Sequence, residues 1–420
     1  MLKNTRNDFI VNFKKKDRNN FFGYYDYSPI SKDDRFICYL SYNQQKYKQS
    51  SNILANINVY DLKNHKENKV ATTNSFNFQD GCRMQWFKNE NKFIYNTFED
   101  NILISKIYNA NNDSSISLDY PIYELCPNGK YAITINFKEY SKIRSGYGYY
   151  FGKRGIKINT NDLFLIDIKL NTLTKIIELD ELKKNIPIDS MDNAYHYIEN
   201  IKFNKNGDQF YFFHRWNKPN TSVYTRVYIY NLNLKKYHCI LDSGKATHLC
   251  WYDNNTLFGW LARESSINDL RKANFFNSKF INFLKKIYHL AIPAYSRIAK
   301  NFIATGFFFL DLNSKKLTKL NIPDIAQDGH PSWNPVDRNI LLCDTYAEED
   351  NLQKLFIYNK IKNKTYFINK FKTKIKSGSN RCDLHPRWSF SGKKLSFDLY
   401  QNGFRDIIIY DYEKIVNEKL

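Results

Sequence analysis

The chain has 420 residues with 63 Lys and Arg against 42 Asp and Glu, a formal net charge of +21, and 32 residues each of Tyr and Phe. Its seven cysteines, Cys38, Cys82, Cys126, Cys239, Cys250, Cys343 and Cys382, are odd in number and scattered without a CxxC pair, so neither a disulfide framework nor a thiolate zinc site is signalled. No 18 uncharged apolar residues follow one another, which excludes a membrane-spanning helix.

The first stretch, MLKNTRNDFIVNFKKKDRNN, is basic but lacks the apolar run of an export signal, so the expectation is a protein kept in the cytoplasm. Beyond it, aromatic and β-branched segments follow one grammar. A polar residue stands three positions before a large apolar anchor, a Pro, Asn, Asp or Gly turn follows, and an alternating strand comes next. The anchor falls at Tyr27 in GYYDYSPISKDDRFICYLSY, Trp86 in GCRMQWFKNENKFIYNTF, Leu125 in YPIYELCPNGKYAITINF and Phe203 in YIENIKFNKNGDQFYFFHRW. It returns at Trp251 in THLCWYDNNTLFGWLA, Trp333 in GHPSWNPVDRNILLCDTY and Trp388 in LHPRWSFSGKKLSFDLY. Outer strands such as NINVYDLKNHKENKV, RVYIYNLNLKKYHCI and GFFFLDLNSKKLTKL lie between anchors. Seven such units predict an all-β fold, a seven-bladed β-propeller occupying residues 1–420 as one domain, in which radial closure protects the sheet edges.

Two intervals exceed the repeat. Anchors 125 and 203 are 78 residues apart, and the excess holds KEYSKIRSGYGYYFGKRGIKIN, a Gly, Tyr and Arg loop with several cations. Anchors 251 and 333 are 82 apart, with the excess over 262–303. There Leu270, Phe275, Phe276, Phe280, Phe283, Leu284, Ile287 and Tyr288 recur at helical spacing beside Arg271, Lys279, Lys285 and Lys286. This predicts a basic amphipathic helical insertion that caps one propeller face, or docks on a partner or an inner-membrane surface.

In a propeller, equivalent positions near the start of each inner strand form a ring about the axis. Three before each anchor stand Tyr24, Arg83, Ile122, Asn200, His248, His330 and His385. Three of the eight histidines of the chain thus occupy one repeat position in three successive blades. They predict a shared site, either a transition-metal site with Asp328, Asp383 or Gln85 as oxygen ligands, or three separate backbone-bonding histidines. His196 and His214 bracket the inner strand of the fourth blade, whereas His65, His238 and His289 fall outside the pattern.

GHPSWNP, DLHPRWS, THLCW and the His196 to His214 segment resemble the histidine-bearing blade starts of propeller polysaccharide lyases, the oligogalacturonate and ulvan lyases, within the broader TolB-like repeats. The resemblance implies β-elimination at a uronic acid of an anionic oligo- or polysaccharide. A cation, divalent Mn or Zn or an arginine, would neutralise the sugar carboxylate, a base would take the C5 proton and an acid would protonate the departing O4. By that resemblance His248 and His330 help hold the metal, with His385 added from the repeat, and His196 and His214 form the catalytic pair, aided by Arg215 and by a tyrosine, Tyr24, Tyr25 or Tyr195. Arg83, Asn200, Arg381 and Arg387 are the candidate substrate-binding groups.

The alternative is a non-catalytic TolB-like propeller that binds glycan or protein in cell-surface polysaccharide assembly. A nucleic-acid partner would rest on charge alone, since no RNA-recognition motif, zinc finger or dense basic tract occurs. Serine-hydrolase chemistry lacks its GxSxG elbow, and RSGYGYYFGKRG has neither phosphate-cradling glycine spacing.

Overall fold

The computed structural model describes residues 11–12, 18–43, 53–219, 223–242, 244–262, 305–347, 351–373, 381–401 and 403–419. Within them the strands pair in sequence order into seven sheets arranged as a seven-bladed propeller. The fourth blade shows the pattern. Tyr195–Phe203, Gln209–Asn217, Tyr224–Asn231 and Lys236–Leu241 are antiparallel neighbours from the axis outward. The second strand of a blade, as in Phe36–Tyr42, is buried on both faces because a blade packs on each side, and only the outermost strands carry runs of exposed polar residues.

All seven anchors, Tyr27, Trp86, Leu125, Phe203, Trp251, Trp333 and Trp388, are buried. Three of the tryptophans also tie blade to blade. Trp86 Nε1 donates to Pro29 O at 2.8 Å, Trp251 Nε1 to Lys202 O at 2.9 Å and Trp388 Nε1 to Ser332 O at 2.9 Å. The core lies between blades, as where Phe258 and Phe307 of the fifth meet Trp333, Leu341 and Phe356 of the sixth.

The ring closes by a clasp. Val11–Asn12 adds to the outer edge of the last blade, Val11 opposite Ile409 and Asn12 opposite Ile408. The inner strand of the first blade follows at once, with Arg405 N donating to Asn19 Oδ1 at 2.9 Å and Phe22 N to Asp398 Oδ2 at 3.3 Å.

That inner strand is interrupted. Phe21 pairs with Leu40, and pairing resumes at Ile30 with Ile37, so the eight residues Phe22 to Pro29 face only Cys38 and Tyr39. The surplus bulges into the axis as an axial loop, where Tyr25 Oη donates to Leu249 O at 2.9 Å and Tyr27 Oη to Glu124 Oε2 at 2.7 Å. Gly23, at φ +140°, permits it: a Cβ there would lie 2.7 Å from the backbone of Asp80.

In the 78-residue interval, the helix Phe137–Ile143 is capped by Asn136, and Gly155–Ile156 pairs parallel with Ile102–Leu103 of the second blade. The predicted amphipathic insertion at 262–303 lies, beyond Ala262, outside the described residues. No helix among the described residues is long and apolar enough to cross a membrane.

Phe212 is fully buried between Phe210 and Tyr228, whereas Leu234 stands exposed in an outer turn. Phe212→Ala is expected to cost about 3–5 kcal/mol in urea unfolding, and Leu234→Ala no more than about 0.5 kcal/mol.

Candidate functional site

His248, His330 and His385 meet at the axis. The ring centroids of His248 and His330 are 4.5 Å apart and those of His330 and His385 4.4 Å. Each ring has its Nδ1 taken by a fixed oxygen: His248 by Asp328 Oδ1 at 3.0 Å, His330 by Asp344 Oδ1 at 2.9 Å, His385 by Gly23 O of the axial loop at 3.0 Å. A proton on each Nδ1 donates to that oxygen and leaves the Nε2 lone pairs for the centre. Tyr346 Oη lies 3.1 Å from His248 Nε2 and 3.4 Å from His330 Nε2.

Backbone geometry aims these side chains. Asn200 and His248 occupy one-residue bulges, visible as register shifts between Glu199 and Lys202 and between Thr247 and Cys250. Both adopt left-handed φ, +52° and +49°, as do Arg83 (+58°) and His385 (+45°), so four of the seven ring positions share one device. A bulge re-aims its side chain out of the alternation of the strand, here toward the axis.

His330, Asp383 and His385 are buried and offer ligand atoms within 4.8 Å of one another. His385 Nε2 and Asp383 Oδ2, 3.8 Å apart, make no aligned hydrogen bond, although Arg381 Nε stands 2.7 Å from that carboxylate oxygen. Burial, then the neighbouring His330, Arg387 and Arg381, hold the His385 imidazole well below its ordinary range. Burial acts downward on His330, but the carboxylates of Asp344, Asp383 and Asp328 together outweigh it and the net displacement is upward.

Above the cluster a cavity of about 450 Å³ is lined by Tyr24, Tyr147, Asn200, His248, Asp328 and Tyr346, with five cations, Arg83, Arg144, Arg215, Lys245 and Arg381, against the carboxylates Asp80, Glu199 and Asp328. The buried Glu199 is shared by Arg144 (Nε to Oε2, 3.0 Å) and Arg215, with Tyr140 Oη a third donor at 3.0 Å. Two guanidiniums on one carboxylate leave a positive surplus at the wall. Arg83 pairs with Asp80 and lies over the Tyr123 ring at 3.7 Å.

Five expected placements differ. His196 and His214 do not line this cavity. Their Nδ1 and Nε2 meet at 3.0 Å, and both rings pack on Trp216 behind the strand. Strand alternation is the reason: in the sequence His214, Arg215, Trp216 only Arg215 faces the cavity. Arg387 is buried beneath the axial loop, bonded to Gly23 O, Tyr24 O and Asp398 Oδ1, and does not reach the cavity. Gln85 accepts from Leu125 N at 2.7 Å at the opposite end of the axis, and Tyr195 projects outward, 61% exposed.

Tyr24, Arg83, Asn200, Arg215, His248 and Arg381 do line the cavity. The sequence reading did not single out Tyr346, Asp344, Arg144, Tyr147 or Glu199 as site residues. Arg144 and Tyr147 belong to the Gly, Tyr and Arg loop whose cations the sequence displays; the others carry no repeat signal.

No protein-family model matches the chain, and no curated protein does. Among solved structures, it is similar to an oligogalacturonate lyase in complex with manganese, at 12% identity and TM-score 0.61 over 95% of this chain and 92% of that one. An oligogalacturonate lyase from Vibrio parahaemolyticus gives 11% identity and TM-score 0.60 over the same shares. At such identities the likeness establishes the propeller fold.

Burial, then the charges of His196, Arg226 and Lys183, push the His214 imidazole down to about 3. Between that value and about 6.5 the unfolded chain binds a proton that the native chain does not, so stability falls as pH drops through this window. Urea midpoints at pH 7 and pH 4.5 are expected to show this loss, and His214→Gln to make it shallower by up to one proton equivalent, about 1.4 kcal/mol per pH unit.

Proposed function

We propose that this propeller is a carbon-oxygen lyase that cleaves uronic-acid-containing anionic glycans by β-elimination. The observation that carries the reading is the junction of a cation-rich cavity with a histidine whose Nδ1 is held by a carboxylate and whose Nε2 faces inward. In the cytoplasm its substrates would be short imported oligosaccharides, or a glycan under assembly at the inner membrane.

The likeness to a manganese-bound lyase raises the question of a metal. The donor set fits one. His385 Nε2 and Asp383 Oδ2 are buried without an aligned hydrogen-bond partner, and imidazole with carboxylate suits Mn or Zn. His330, Asp383 and His385 would hold it, beside His248. Such a cation, when bound, supplies positive charge against that gathering on the substrate carboxylate.

The other roles fall to the chain itself. Arg144 and Arg215, sharing Glu199, and Arg381 receive the uronate carboxylate, which makes the neighbouring C5 proton more acidic. His248 Nε2 takes that proton. The C5–H electron pair becomes the C4–C5 double bond, the C4–O4 bond breaks, and O4 takes a proton from the hydroxyl of Tyr24. Burial raises the Tyr24 phenol well above its ordinary range, which keeps that proton in place at neutral pH. A water then returns the proton from His248 to Tyr24. His196 and His214, packed behind the strand, take no part in these transfers.

Mixing the protein with a panel of uronides is expected to give unsaturated products absorbing in the ultraviolet. His248→Ala is expected to lower kcat about 10²–10⁴-fold without loss of fold, and Arg381→Ala to raise KM. Binding of a uronide with its mass unchanged across the panel would assign the chain to the non-catalytic class instead.

Asp344→Asn, which weakens the hold on His330 Nδ1, is expected to cost about 10–100-fold in Mn²⁺ or Zn²⁺ affinity by calorimetry. An unchanged affinity would remove Asp344 from the scheme, and failure of either ion to bind the unsubstituted chain would remove the metal from it.

A further inference from the structure

The axial loop divides the centre of the ring into two compartments. Tyr24 lines the cavity described above, while Tyr25 and Asp26 line a second one, about 240 Å³, at the anchor end of the axis. Three lysines, Lys88, Lys202 and Lys205, converge on it with two carboxylates, Asp26 and Glu124.

The carboxylates are already engaged. Lys202 Nζ stands 3.3 Å from Glu124 Oε1, 3.5 Å from Asp26 Oδ2 and 3.7 Å from the centre of the Tyr27 ring. Lys88 and Lys205 have no carboxylate partner among the described residues; Lys205 Nζ reaches only Pro335 O at 3.4 Å. Burial acts first to lower the basicity of both, and neighbouring cations add to it: Lys202 and Lys205 at Lys88, Arg338 at Lys205. Lys88, half-buried, and Lys205, exposed at the rim, set two like charges against one concavity, an arrangement that a bound anion would relieve.

An independent observation points the same way. Trp86, Trp251 and Trp388 each donate the indole N–H to a carbonyl of the adjacent blade. Trp333, at the same repeat position and 8% exposed, lines this cavity with its buried Nε1 unpartnered. A buried donor without an acceptor costs about 1–3 kcal/mol, and a ligand oxygen would recover it.

We propose that this second cavity is a binding site for a small oxyanion-bearing molecule, a carboxylate or a phosphate. Lys88 and Lys205 neutralise the oxyanion and Trp333 Nε1 donates to one of its oxygens. The site is separate from the histidine centre, and its occupancy does not depend on whether the chain cleaves uronides.

Titration of the full chain with D-galacturonate and with inorganic phosphate, followed by calorimetry and tryptophan fluorescence, tests the assignment. Saturable binding of at least one probe at millimolar concentration or below is expected, and which probe binds identifies the source of the oxyanion. The pair Lys88→Ala with Lys205→Ala is expected to weaken it at least tenfold and Trp333→Phe severalfold. The charge-preserving pair Lys88→Arg with Lys205→Arg is expected to retain it, which separates loss of the site from loss of fold. The component of binding that the pair Lys88→Ala with Lys205→Ala removes is expected to be unchanged in Arg381→Ala, in the other cavity. Failure of both probes to bind, equal affinity in the alanine pair, or loss of the binding only in Arg381→Ala would each overturn the proposal.

Discussion

A residue held in left-handed conformation three positions before the anchor, repeated in four blades, underlies the centre of this molecule. Arg83, Asn200, His248 and His385 all sit at φ between +45° and +58°, where a residue with a Cβ costs about 1–2 kcal/mol. The cost is offset locally. Asp80 pairs with Arg83, Tyr123 Oη accepts from Asn200 N, Asp328 holds His248 and Gly23 O holds His385. The contacts that keep the backbone strained are the same contacts that orient the side chains, so local strain and site geometry are one feature.

The second organising element is the axial loop. A propeller of seven blades leaves a channel, and the eight-residue excursion from Phe22 to Pro29 blocks it partway. The loop also fixes the chemistry on either side. Its Gly23 carbonyl sets the His385 ring, its Tyr24 forms part of one cavity wall, and its Asp26 and Tyr27 engage Lys202 and Glu124 on the other side. Arg387, buried beneath it with Asp398, is the post on which the loop rests.

Much of this was legible in the sequence. The anchor grammar located all seven blades because an anchor must be large, apolar and followed by a tight turn, and every one of the seven is buried. The convergence of His248, His330 and His385 followed from the repeat, because equivalent positions of a closed ring face one axis. What failed was the direction of individual side chains, those of His196, His214, Arg387, Gln85 and Tyr195. His214 lies one residue from Arg215, and alternation sends neighbours to opposite sides, yet the one-residue bulge at Asn200 shifts which partners they meet. Tyr346, Asp344 and Glu199 had no signal of their own, being single residues placed by pairing registers that the sequence does not display. Arg144 and Tyr147 depend on a non-repeating excursion, where a repeat argument has no purchase.

The clasp at Val11–Asn12 has a bearing on how the chain comes to life. The last blade is completed by residues made well before it, so the circle can shut only after that blade has left the ribosome. Until then the three imidazoles belong to an open arc and have no common centre. The growing chain therefore carries the walls of its central cavities in dispersed parts and acquires the cavities in one late event of ring closure.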